Sequence, residues 1–237
     1  MKFGGTSVAN INKINNVANI VASESSNNKL IVVLSAMAGV TNQMQNYINE
    51  IESEEIIEND LLLTSGENVT IAILSAILKK KKIKSIPLLG WQVPIITDNS
   101  HQKAKILNID ESRIMKFFEK NDVIVLAGFQ GITNDGHITS LGRGGSDTTA
   151  VAIASAVSAD RCDIYTDVEG VYSADPNIVP KARKISKLAF EEMLEMSSTG
   201  AKVLHTRSVE LAMKNNLILQ VLSSLIKKPG TLILDEK

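Results

Sequence analysis

The sequence has a single cysteine, Cys162, among its 237 residues. That excludes an intramolecular disulfide and any metal site built from several thiolates. Cys162 stands in the mostly apolar run Cys162-Asp163-Ile164-Tyr165 and reads as a small buried core residue. Histidine is scarce as well. His101, His137 and His205 are scattered without metal-ligand spacing, and each reads as a surface or internally satisfied side chain. No run approaches the roughly 20 apolar residues of a membrane-spanning helix. Gly4, Gly5 and Thr6 follow Lys2 at once, which is not a signal-peptide pattern. Neither charge sign is in excess: 25 basic and 26 acidic residues leave a net charge of −1, which argues against nucleic acid as a partner. The one basic cluster, residues 79–82 with Lys84, ends an apolar helical pattern and reads as a solvated terminus favoured by the helix dipole. There is no internal repeat and no Pro- or Ser-rich linker. The expectation is one domain over residues 1–237, cytoplasmic, with neither membrane nor nucleic acid as partner.

What is present is an alternation of short β-branched runs with longer helical patterns, the signature of βαβ units. Residues 30–34, 122–127 and 162–166 read as strands buried on both faces, and 218–222 and 231–234 as closing strands. Val8, Ile11, Ile14, Ala18 and Val21 predict the buried face of a first helix. Residues 60–82 predict another, with Leu62, Val69, Ile73 and Ile77 on related faces; Met193, Leu194 and Met196 belong to a later one. The fold class is α/β with a mainly parallel central sheet. In such sheets ligands gather at the carboxyl ends of the strands, where residues 2–7, 35–41, 128–131 and 166–172 form polar or glycine-rich loops.

The most pointed segment is residues 141–150, a glycine-rich turn opening into an alanine-rich helix. Gly142, Gly144 and Gly145 let backbone approach a ligand closely, and Ser146 and Asp147 stand where a helix N-cap is expected. Free N–H groups and a positive helix end suit an anion, and Arg143 adds a two-pronged ligand for a carboxylate or a phosphate. A second glycine turn, Lys2-Phe3-Gly4-Gly5-Thr6-Ser7, also carries one basic residue. Two such loops in one chain suggest a phosphoryl-transfer enzyme.

These two turns, with Ser65-Gly66-Glu67, residues 166–172 and residues 200–205, occur in an order that resembles the catalytic domain of the aspartokinase family. The resemblance runs from Met1 to about Thr231. It implies a three-layer αβα sandwich of the amino acid kinase type, with an N-lobe for the acceptor and a C-lobe for ATP. The implied reaction moves the γ-phosphoryl of ATP to the side-chain carboxylate of L-aspartate. The product, 4-phospho-L-aspartate, leads to lysine, threonine, methionine and diaminopimelate. The resemblance assigns Lys2, Asp147 and Lys202 to catalysis, and Ser35, Thr41, Glu67 and Arg143 to the acceptor. Lys2, Phe3, Gly4, Gly5, Thr166, Asp167, Tyr172, Asn177, Lys202 and Val203 fall to ATP. Mg²⁺ accompanies ATP and is held largely by phosphates and water, so no protein metal ligand is assigned.

The chain departs from the family pattern in places. The first strand is nearly absent before Lys2, which predicts a loosely held lysine. Asn177 replaces an arginine near the nucleotide, and Thr206 a proline after His205. No ACT domain follows, which predicts an enzyme insensitive to lysine and threonine unless a separate regulatory subunit supplies them. A homodimer through the N-lobe is the family expectation. Two other readings stay open: an amino acid kinase with another acceptor, and an ATP-binding subunit without turnover.

Overall fold

The structure is a computed structural model and describes residues 1–176, 178–200 and 203–235. Its strands are β1 (Lys2–Phe3), β2 (Leu30–Leu34), β3 (Ser85–Leu88), β4 (Ile95–Thr97), β5 (Ile106–Ile109), β6 (Val123–Ala127), β7 (Gln130–Ile132), β8 (Ile138–Ser140), β9 (Cys162–Thr166), β10 (Lys187–Ala189), β11 (Leu219–Ser223) and β12 (Thr231–Leu234). Its helices are α1 (Ile11–Ser25), α2 (Val40–Glu50), α3 (Ile56–Leu63), α4 (Ser65–Lys80), α5 (Glu111–Phe118), α6 (Gly145–Ala156), α7 (Phe190–Ser198) and α8 (Thr206–Lys214). Among the described residues the main sheet has the order β10-β12-β11-β9-β1-β2-β6-β3, and only the β11–β12 pair is antiparallel. A smaller sheet, β5-β4-β7-β8, stands beside it and was not read from the sequence, because its strands are only three or four residues long.

Both faces of the main sheet are covered, and side chains alternate between two cores. Phe3, Val32, Leu34, Val123 and Val125 pack with α1 and α4. Val33, Ile124, Leu126, Cys162 and Ile164 face α5, α6, α7 and α8. That is the three-layer α/β arrangement expected from continuous apolar strands. The same alternation fixes the first site residue. Phe3 is wholly buried on the α1 side and stacks on Tyr165 with ring centroids 4.5 Å apart, so Lys2 must point to the α6 side. Although β1 is only two residues long, it lies at the centre of the sheet, paired in parallel with both β2 and β9. Lys2 is therefore not loosely held, contrary to the sequence expectation.

Two helix expectations need correction. Ile11 is 50% exposed rather than part of the buried face. Val8 ends a separate 3₁₀ turn, and Asn10 caps α1 by accepting a bond from Lys13 N, which resets the helical phase. The helix read at 60–82 begins at Ile56 and is broken at Thr64 into α3 and α4. Thr64 Oγ1 bonds back to Asp60 O, and Gln130 Nε2 donates to Thr64 O, which bends the ladder. Val69 points outward; the inner face is Glu67, Thr70, Ile71, Leu74 and Leu78. A segment apolar nearly all round does not single out a face by period, and here the buried one is partly polar. By length and composition alone the stretch Ile56–Lys80 would pass for a membrane span. In the fold α4 packs on α1 and on the sheet, with Leu74 and Leu78 fully buried in a core.

Candidate active site

The carboxyl edge of β1, β2 and β6 carries the loops that meet in one cavity of about 320 Å³. Lys2, Gly5, Ser35, Thr41, Glu67, Arg143 and Asp147 all line it. The structure thus brings together residues 145 positions apart in sequence, from Lys2 to Asp147. A larger hollow of about 890 Å³ lies at the opposite strand edge, around Met1, Leu30, Ile218 and Leu232. None of the buried side-chain polar atoms left without a partner belongs to a residue lining it. Ligand chemistry therefore favours the smaller cavity.

Each side chain is placed by a local cause. The turn after β2 is pinned to the turn after β1, since Ser35 N donates to Phe3 O and Ala38 N to Gly5 O, at 3.2 Å each. The start of α4 leans on that turn at Gly66, where a Cβ would come within 2.6 Å of Ala36 Cβ. Glycine there permits the close approach that delivers Glu67. Glu67 Oε1 accepts a 3.0 Å bond from Ala36 N, while Oε2 is buried without a partner. At 2% exposure the carboxyl is desolvated, and burial raises its pKa from 4.5 to about 7 against the lowering effect of the Ala36 bond. A buried carboxylate oxygen lacking a donor, set in a cavity wall, is an incomplete site for a cation.

On the other side, Lys2 Nζ lies 2.6 Å from Asp147 Oδ1, both side chains being nearly buried. Asp147 is in the first turn of α6. Ser146 and Asp147 are not the N-cap, as the sequence had suggested; the cap is Gly144, at φ +73°. A non-glycine residue is disfavoured in that left-handed conformation, and a Cβ at Gly144 would sit 2.3 Å from the His205 ring. With glycine as the cap, no side chain satisfies the helix's first N–H groups, so that end is open to an anion. Arg143, just before it, is exposed and lines the cavity.

Of the residues assigned to ATP, Lys2 and Gly5 line this cavity, whereas Thr166, Asp167, Tyr172 and Val203 do not. Thr166 ends β9, the strand next to β1, and its hydroxyl bonds the exposed Asp167 at 3.1 Å. Tyr172 forms an isolated bridge with Lys184, and Val203 packs on the core. Phe3 offers only backbone, since its ring is core. Gly4 backs the lysine: a Cβ there would lie 3.4 Å from Lys2 Nζ. Lys202 and Asn177 lie outside the described residues.

Sequence reasoning missed two groups around the site. Asp60, fully buried on α3, pairs with His101 Nδ1 at 2.7 Å and accepts from Gln102 N and Ser140 Oγ. His101 is thus internally satisfied, as expected. Arg207 Nη2 donates to the carbonyls of Leu141 and Arg143. Neither carries a motif that names its partner.

The profile of the amino acid kinase family matches residues 1–223. The chain is 50% identical over 238 residues to an aspartokinase of Rickettsia felis, covering 98% of this chain and 59% of that protein. It is also 50% identical over 239 residues to an aspartate kinase of Pseudomonas putida, covering 100% of this chain and 58% of that one. Among solved structures, aspartokinase III of E. coli in complex with aspartate and ADP superposes with a TM-score of 0.85 at 29% identity, covering 100% of this chain and 64% of its own. The chain thus spans less than two thirds of each of these proteins. With this profile matched over residues 1–223 of the chain, and relatives of that identity beside it, the chain belongs to the amino acid kinase family.

Proposed function

We propose that this chain is an aspartate kinase catalytic domain, transferring the γ-phosphoryl of ATP to the side-chain carboxylate of L-aspartate. The observation that carries the reading is Glu67: a buried carboxylate whose Oε2 has no partner, in one cavity with Arg143 and the Lys2–Asp147 pair. An α-amino acid supplies what this cavity lacks. Its ammonium meets Glu67 Oε2, and its α-carboxylate meets the two-pronged Arg143. Ser35 and Thr41 add hydroxyl contacts. The side-chain carboxylate is then left to face Lys2. The E. coli relative's complex with aspartate and ADP agrees with that acceptor.

The acceptor carboxylate, with a pKa near ~4, is already ionised at neutral pH, so no general base is required. The task is to bring two anions together, and catalysis consists of positioning and charge neutralisation. Lys2 Nζ holds the transferring phosphoryl group, Gly5 lends an N–H donor, and Asp147 orients the ammonium of Lys2; the Gly4 N–H is turned to Tyr165 O instead. On the strength of the resemblance alone, Lys202 is assigned to the leaving oxygen. ATP lies along the ends of β9 and β1, with Thr166, Asp167 and Tyr172 at its adenosine side. Mg²⁺ would arrive on the phosphates of ATP, held largely by them and by water. Bound there, it would withdraw charge from the triphosphate. The product, 4-phospho-L-aspartate, would serve lysine, threonine and methionine synthesis.

The test is hydroxylamine trapping with ATP, Mg²⁺ and a panel of acceptors. The reading expects product with L-aspartate. Product with glutamate alone, or none at all, overturns it.

A further inference from the structure

Arg207 does not itself line the cavity, yet its side chain holds the backbone of a residue that does. A single nitrogen, Nη2, donates to Leu141 O and to Arg143 O, both at 2.7 Å. These carbonyls flank Gly142, at φ +70°, in the turn that ends at the Gly144 cap. The same turn rests on a second residue of the α8 entrance, because the His205 ring fills the space where Gly144 would carry a Cβ. The base under this clamp is firm. Val209 and Ala212 of α8 are fully buried in one core with Ala150, Ile153 and Ala154 of α6.

We propose that Arg207 is a positioning residue for acceptor binding. It fixes the 141–145 turn so that the Arg143 guanidinium is presented to the substrate carboxylate. A turn with glycines at 142, 144 and 145 has many conformations to lose on ordering. A planar donor bridging two of its carbonyls removes that freedom before the acceptor arrives, and preorganisation of this kind is expressed as affinity. The inference rests on the proposed acceptor role of Arg143.

The experiment compares wild type with Arg207→Met, which keeps the stem but donates nothing, and Arg207→Lys, whose ammonium is not a planar fork. Steady-state kinetics and amide hydrogen exchange of the 141–148 segment are measured on each. Arg207→Met is expected to raise the acceptor KM at least tenfold, with kcat within threefold and the ATP KM within twofold. Exchange in the 141–148 segment should rise at least tenfold while β2 and β6 stay protected. Arg207→Lys should fall between and keeps the test open if Arg207→Met does not fold. An acceptor KM within twofold of wild type, or a matching rise in the ATP KM, overturns the proposal. So does unchanged exchange in the turn. Absence of product from wild type with aspartate overturns the acceptor reading instead, and the exchange arm then decides Arg207 alone.

Discussion

Replacing Glu67 by Gln should stabilise the empty protein and cripple acceptor binding at the same time. The carboxyl is 2% exposed, and burial raises its pKa from 4.5 to about 7. At about 1.4 kcal/mol per tenfold change in proton affinity, ionised Glu67 costs the empty fold about 3 kcal/mol. Because the folded value lies above the unfolded one, this stability is fully present below pH 4.5. It is lost progressively up to about pH 7 and is then constant. Glutamine keeps an acceptor for Ala36 N and removes the charge. Arg143, which lines the same cavity, is exposed to solvent and forms no salt bridge among the described residues. The variant should therefore gain about 3 kcal/mol over wild type at pH 8 and under about 1 kcal/mol at pH 5. At roughly 2–4 °C per kcal/mol for a chain of this size, the melting temperature rises by about 6–12 °C at pH 8. Truncating one partner of a buried ion pair costs about 2–5 kcal/mol of binding, so aspartate affinity falls by about 30-fold or more. The assay is thermal unfolding across pH, paired with calorimetric titration of aspartate. A melting temperature difference independent of pH, or an aspartate Kd unchanged by the substitution, refutes the reasoning.

The other substitutions separate the roles within the cavity. Arg143→Lys should raise the aspartate KM at least about tenfold and leave the ATP KM nearly unchanged, because an ammonium cannot grip both carboxylate oxygens; the opposite split would move Arg143 to the phosphate site. Lys2→Ala should lower kcat by about 100-fold or more, since it removes charge that matters most in the transition state, and a loss under about threefold in single-turnover measurements would remove it from catalysis. Gly144→Ala should destabilise the fold by about 2 kcal/mol or more, from the left-handed backbone and the contact with the His205 ring; an unchanged denaturation midpoint would contradict that placement.

How far the sequence could be read follows from what each feature depends on. Strands such as Leu30–Leu34 and Val123–Ala127 were legible because burial on both faces leaves an uninterrupted apolar run. The short strands of the second sheet leave no such run, and the break at Thr64 depends on Gln130, a residue 66 positions away. At the site, Lys2, Glu67, Arg143 and Asp147 stand in glycine turns or at helix starts, where residue type and local geometry are tied together. Arg207 was not legible because its partners are main-chain carbonyls, which every residue possesses. Asp60 was hidden for another reason: only the fold brings His101 and Ser140 to it.

The central claim is that Glu67 and Arg143 grip the α-ammonium and α-carboxylate, leaving the side-chain carboxylate to take the phosphoryl group. It is tested most directly by trapping the product formed from L-aspartate, ATP and Mg²⁺ with hydroxylamine and locating the hydroxamate by mass spectrometry. The account predicts the hydroxamate on the side-chain carboxyl carbon. A hydroxamate on the α-carboxyl carbon, or none despite ATP turnover, would contradict it.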